Sequence, residues 1–125
     1  MTFRATCQIG AAITLALFVV LLTHPPLVFW LFGIDGGRSA EMLTRRAAVL
    51  GVCVTLWMAR DAVPSPARRA IAIGTAVTML GLAVLGTVEV VRGAAGPGIW
   101  VAIGTEIGLG LAFQRSGVAS PAPVA

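Results

Sequence analysis

Four apolar runs, at residues 6–22, 47–59, 70–91 and 98–113, constrain this chain more than any other feature. Each run is bounded by arginine, proline, glycine or aspartate. A soluble domain of 125 residues has too little interior to hide that much apolar surface, whereas a bilayer solvates it. The composition agrees: 58% hydrophobic, 11% charged, and a mean hydropathy of +0.95. The expected fold is all-α, an integral membrane four-helix bundle with a short interfacial segment between the first two helices. Helices are expected at about 4–23, 39–61, 67–92 and 97–114, with 116–125 a disordered tail.

Charge favours a membrane over nucleic acid. The net charge of +4 and pI ≈ 11.1 come from nine basic residues, all arginines, and nearly all stand at ends of apolar runs. Headgroup contact and topology signalling produce that distribution. No exposed face interleaves basic and aromatic residues, so nucleic acid is not an expected partner.

Punctuation sets the helix ends. Pro25-Pro26 stops the first helix, since proline cannot continue the hydrogen-bond ladder. The first helix follows a basic Arg4, yet Thr23-His24-Pro25-Pro26 offers no small-x-small cleavage site. It is therefore expected as a retained span. Leu27 to Phe32 is too short to cross a bilayer and carries three aromatics, which anchor at the interface. Gly33-Ile34-Asp35-Gly36-Gly37 reads as a turn-rich loop.

The second helix is the difficult one. Arg46 and Arg60 enclose thirteen residues, about 20 Å of helix, which is too short to span. The helix must start earlier, with Ser39 as cap and Glu41 in the first turn, drawing Arg45 and Arg46 inside it. Glu41 and Arg45 are four apart and can pair, while Arg46 snorkels or finds a partner. Pro64-Ser65-Pro66 then forms a rigid turn, Arg68-Arg69 open the third helix, and Pro97 suits the first turn of the fourth. Arg4, Arg60, Arg68, Arg69 and Arg115 fall on the side of both termini; Arg38, Arg45, Arg46 and Arg92 fall opposite. The balance favours both termini in the cytoplasm.

Within this frame Glu106 is the anomaly. It lies near the middle of the fourth run, ~13 Å below the surface of a ~30 Å hydrocarbon core. An ionised group there costs roughly 2.5–3.5 kcal/mol on insertion scales, so it is paired, protonated or facing a polar cavity. Antiparallel helices bring His24, Glu41, Arg45, Arg46, Glu89 and Arg92 to the half of the bundle above it. Two readings follow for the cluster of Glu106, Arg45, Arg46, Glu89 and His24. Either Glu106 floors a pocket opening away from the termini, or Arg45 or Arg46 forms a structural ion pair with Glu106 or Glu89 that holds the second, third and fourth helices together. The last helix also carries Gly104, Gly108 and Ala112, a small-residue stripe that lets a backbone approach closely. Internal packing is the first expectation for that stripe, and a second protein is the alternative.

Nothing points to a catalytic centre, a metal or a cofactor. Cys7 and Cys53 sit at different depths, outside any CxxC or metal spacing, and read as small buried hydrophobes. No second His or Cys stands at ligand spacing from His24, and there is no phosphate loop or haem-attachment motif.

Small multidrug exporters carry a glutamate in their first helix, which is missing here, as is the glycine-rich GGxxGAxxR signature of dual-topology fluoride channels. Three stretches carry a resemblance instead: the Pro–aromatic–Leu-Phe-Gly segment 25–33, Arg45-Arg46-Ala47 followed by small residues to Gly51, and the Gly-Trp region 98–100. Over most of its length the chain resembles the DoxX-like group of small bacterial four-helix membrane proteins. The resemblance implies a bacterial cytoplasmic membrane and a link to quinone-dependent redox assemblies. Three functions follow as expectations. The first is a non-catalytic subunit or accessory protein, partnered by lipid and by a second copy or another membrane protein. The second is a small proton-coupled transporter using Glu106. The third is a DoxX-like redox accessory with Arg45, Arg46 or His24 near a quinone headgroup.

Overall fold

The structure is a computed structural model that describes residues 2–33, 39–93 and 96–118, without the side chains of 39–46 and 118. The expected loop at 34–37, the Glu41–Arg45 pair, the surroundings of Arg38 and Arg46, and the tail at 119–125 lie outside the described residues. Among those described, the chain is entirely helical: α1 (Phe3–Thr23), α2 (Pro25–Phe32), α3 (Ser39–Ala59), α4 (Pro66–Val91) and α5 (Ile99–Val118).

Each described boundary has a local cause. Thr2 caps α1 by accepting from the Ala5 N–H, and Pro25 ends it by forcing His24 out of helical geometry, at φ −142° and ψ 60°. Pro25-Pro26 then begin α2, where a missing N–H costs nothing, and Gly33 closes it in the left-handed region at φ 67°. The segment expected at the interface is thus a two-turn helix. Ser65 caps α4 by accepting from the Arg68 N–H, with Pro66 in the first turn. Two sequence-based boundaries need correction. Pro97 stands before α5 rather than in it, and the helix continues beyond Gln114 to Val118, because Ser116 is buried and Gly117 packs against Ala72.

The helices associate as two antiparallel pairs. α4 packs along α5, α1 packs along α3, and the pairs meet through α1 and α5. Their joint is a core cluster of Phe3, Cys7, Ala11, Cys53, Leu56, Ala72, Ala76 and Phe113. Phe113 is fully buried, edge-on to Phe3 at 77° with centroids 6.4 Å apart. Both cysteines are free and buried, and the Cys53 thiol donates to the Ala11 carbonyl at 3.4 Å. All members of the cluster lie toward the end where α1 begins and α5 finishes, hereafter the near end. The far end is tied differently: the Gly98 N–H donates to the Leu31 carbonyl at 2.7 Å, holding α2 against the start of α5.

The outside of the bundle is apolar. Val19 and Leu22 on α1, Val54 and Met58 on α3, Val77, Val84 and Leu85 on α4, and Val101 and Leu111 on α5 are all exposed. α1 and α4 are each long and apolar enough to cross a membrane, at 21 and 26 residues.

Glycines separate into two kinds. A Cβ on Gly117 would collide with the Ala72 Cβ, which cannot move independently of the α4 backbone, whereas a Cβ on Gly74 would meet nothing within 4 Å. Gly117→Ala is therefore expected to push α4 and α5 apart and cost about 1–3 kcal/mol. Gly74→Ala is expected to gain up to about 1 kcal/mol through helix propensity. Thermal unfolding of the purified chain checks both signs.

Candidate functional site

α5 carries Glu106 on the same stripe as Gly110, Phe113 and Gly117, spaced by four, three and four residues. That stripe is the inward one. A Cβ on Gly110 would sit 2.8 Å from Leu80 Cγ and 3.4 Å from the Ala76 carbonyl; Phe113 lies beside Gly10 of α1; Gly117 abuts Ala72. Glu106 therefore faces the interior, two turns above the aromatic plug. Unlike Phe113 it is only partly buried.

Its neighbours follow from the antiparallel register. Ile103 packs on Gly86 and Gly110 on Leu80, which sets Glu106 level with the buried Ala83 of α4. Seven residues up α5 from Phe113 corresponds to seven along α1 from Gly10, reaching Leu17. Val49, one turn before Cys53, is the partly buried residue of α3 nearest that level. Two hydroxyls come close in height, but both serve their own helices: Thr14 donates to the Gly10 and Ala11 carbonyls, and Thr87 donates to the Ala83 carbonyl. Among the described residues Glu106 makes no hydrogen bond or ion pair.

Among the described residues, no contact joins the members of the expected polar cluster. Glu89 does not turn toward Glu106; it is exposed and pairs with Arg92 at 3.8 Å on the last turn of α4. The i,i+3 spacing makes that local pair cheaper to form than one across the bundle. His24 is exposed at the α1–α2 junction. The side chains of Arg45 and Arg46 lie outside the described residues. Arg46 stands seven residues, two turns, before Cys53 on α3.

The small-residue face also departs from the first expectation. A Cβ on Gly104 or Gly108 would meet nothing within 4 Å, so among the described residues no helix packs closely on those two glycines. The close internal approach is made by Gly110 and Gly117 instead. The outer stripe borders a shallow recess of about 320 Å³ lined by Gly108, Leu111, Ala112 and Arg115.

Sequence reasoning missed the polar network at the near end. Asp61 bridges Arg4 and Arg60, each at 3.2 Å, and so ties the start of α1 to the end of α3. The Arg60 guanidinium lies over the Trp57 ring at 4.0 Å, and that of Arg68 over Phe3 at 4.3 Å, extending the aromatic plug with a cation. The available signal was the alternation of Arg60, Asp61, Arg68 and Arg69 around one short turn, which marks more than a helix end.

Comparison of the chain with protein-family models, with curated proteins and with solved structures finds no match.

Core and surface ties should differ in size. Phe113→Ala is expected to cost about 3–5 kcal/mol, because it empties the joint between the helix pairs. Asp61→Asn is expected to cost less than about 1 kcal/mol, since its carboxylate is half exposed. Thermal unfolding of the two variants side by side measures the contrast.

Proposed function

We propose that the chain is an integral membrane protein in which α1, α3, α4 and α5 form a four-helix transmembrane bundle. In this reading it acts as a non-catalytic subunit or accessory protein of a membrane assembly. Apolar side chains on the outside of all four long helices support the bilayer setting. So does the gathering of Arg4, Arg60, Asp61 and Arg68 at one end and Glu89 and Arg92 at the other. The arginine balance supports a cytoplasmic near end. α2, with Leu27 and Trp30 exposed, suits the opposite interface.

The observation that carries the subunit role is the outward stripe of α5. Gly104 and Gly108 lower helix propensity, and a Cβ on either would meet nothing within 4 Å among the described residues, yet they leave a surface on which another backbone can settle closely. Native mass spectrometry on protein gently extracted from its own membrane is expected to show a defined partner, either a second copy or another protein. That partner should be lost in Gly108→Ile and kept in Val77→Ile on the exposed side of α4. A wild-type chain that runs alone counts against the subunit reading.

A small proton-coupled carrier is the second reading, favoured by the inward position of Glu106, which pairs with no described residue. Uptake into proteoliposomes driven by a pH step should then disappear in Glu106→Gln; intact transport would remove the idea. The quinone-linked role implied by the DoxX-like resemblance rests on that resemblance, with His24 as a described residue it would use.

A further inference from the structure

The near end holds more positive charge than its carboxylate answers. Arg4 Nε and Arg60 Nε each lie 3.2 Å from an oxygen of Asp61. Arg68 Nη1 donates to the carbonyl of Ala62, the next residue, at 3.3 Å. Three arginines, from the start of α1, the end of α3 and the first turn of α4, thus converge on Asp61-Ala62. Asp61 is the one carboxylate among the described residues at this end, since Glu89 pairs with Arg92 at the far end and Glu106 lies two turns above the plug. Three guanidinium groups against one carboxylate leave two positive charges in excess.

The contacts that fix these groups also leave donors over. Arg60 lies over the Trp57 ring at 4.0 Å and its Nη1 donates to the Trp57 carbonyl, while Arg68 lies over Phe3 at 4.3 Å. Among the described residues Arg4 is engaged through Nε, Arg60 through Nε and Nη1, and Arg68 through Nη1. Each therefore keeps a terminal nitrogen for a further acceptor. Guanidinium groups in this state suit a phosphate, which offers several charged oxygens at once.

Beside the charge runs an apolar track. Leu50, Val54, Trp57 and Met58 are exposed along one stripe of α3, about 12 Å in length at the rise of a helix. The stacking of Arg60 on Trp57 joins the stripe to the cationic end. A free phosphate would use the arginines and leave the stripe bare, whereas a phospholipid uses both. A headgroup with its own ammonium would add positive charge where the carboxylate is already shared by Arg4 and Arg60. The match is an anionic lipid.

We propose that the near end of α3 binds an anionic phospholipid, its phosphate taken by the arginines around Asp61 and an acyl chain laid along Leu50, Val54, Trp57 and Met58. The inference rests on the bilayer reading and names the class of lipid that this end of the bundle selects.

The test uses the purified full chain in vesicles holding equal phosphatidylglycerol and phosphatidylcholine, with native mass spectrometry reading the lipid each chain retains. The wild type should retain phosphatidylglycerol over phosphatidylcholine by about three- to tenfold. Arg4→Gln combined with Arg60→Gln leaves one arginine opposite one carboxylate, so the preference should fall to parity. Arg92→Gln removes the same kind of charge at the far end and should leave the preference unchanged. Circular dichroism and elution volume confirm that each variant folds. Equal retention of the two lipids by the wild type, or an equal loss in Arg92→Gln, overturns the proposal. Displacement of the lipid by excess inorganic phosphate assigns a free-anion site and overturns it as well. Alkaline extraction from pure phosphatidylcholine vesicles reads insertion separately. A chain that resists extraction but shows no lipid preference keeps the bilayer reading and loses the site; a chain that is extracted loses both.

Discussion

Phe113 is the contact through which two helix pairs become one bundle. α4 and α5 lie together along their length, as do α1 and α3, but the pairs meet mainly where α5 presents this ring to Gly10, Phe3 and Leu56. α1 offers a glycine at that point: a Cβ on Gly10 would only touch the Phe113 ring, at 3.5 Å, but would crowd Leu56 Cδ1 at 2.9 Å. The Arg68 guanidinium closes the stack from outside, over Phe3, so the strongest dispersion contacts and a cation–π contact coincide at one level. A joint concentrated at one end leaves the other end to be held by something else. Here that is the Leu31 carbonyl bonded to the Gly98 N–H. Gly96 makes the approach possible, since a Cβ there would run into the Leu31 and Trp30 carbonyls.

Much of the architecture was legible in the sequence, because helix ends are written in residue types with single physical meanings. Pro25-Pro26, Ser65-Pro66 and Gly33 mark boundaries through a missing donor, a capping hydroxyl and a left-handed φ. The antiparallel order of the long helices followed from the short turns between them. The inner faces were not legible, and the reason is general. When a helix is apolar around its whole circumference, hydrophobic periodicity no longer distinguishes inside from outside. Gly104-x-x-x-Gly108 carried the familiar spacing, yet Gly110 and Gly117 make the close approach, because α4 offers Ala76 and Ala72 at their level. Only the partner helix decides which small residue is used.

The pairing of Glu89 was not legible for a related reason. Sequence places Glu89 and Glu106 in the same half of the bundle, but half is too coarse a unit for an ion pair that needs contact within a few ångströms. Arg92 is one turn from Glu89 on the same stretch of chain, and proximity along a helix outweighs proximity across one. The same logic makes Asp61 the hub of the near end, with Arg60 adjacent in sequence and Arg4 brought to it by the α1–α3 register. These exposed pairs fix which ends meet more than they add stability.

α5 therefore has two stripes with three occupations. One, through Gly110, Phe113 and Gly117, is spent on holding the chain together. The second, through Gly104 and Gly108, faces open space among the described residues. The third position belongs to Glu106 alone, on the inner stripe but above the level at which that stripe is filled. A purely structural helix would carry leucine or alanine there, as α1 does with Leu17 and α4 with Ala83 at the same level. Substituting an apolar residue at that position would remove a desolvation cost and lose no contact that the described residues make. Packing among the described residues gives no reason for a carboxylate at 106, and the arginines placed to answer it by sequence, Arg45 and Arg46, stand on the α3 stretch whose side chains lie outside them.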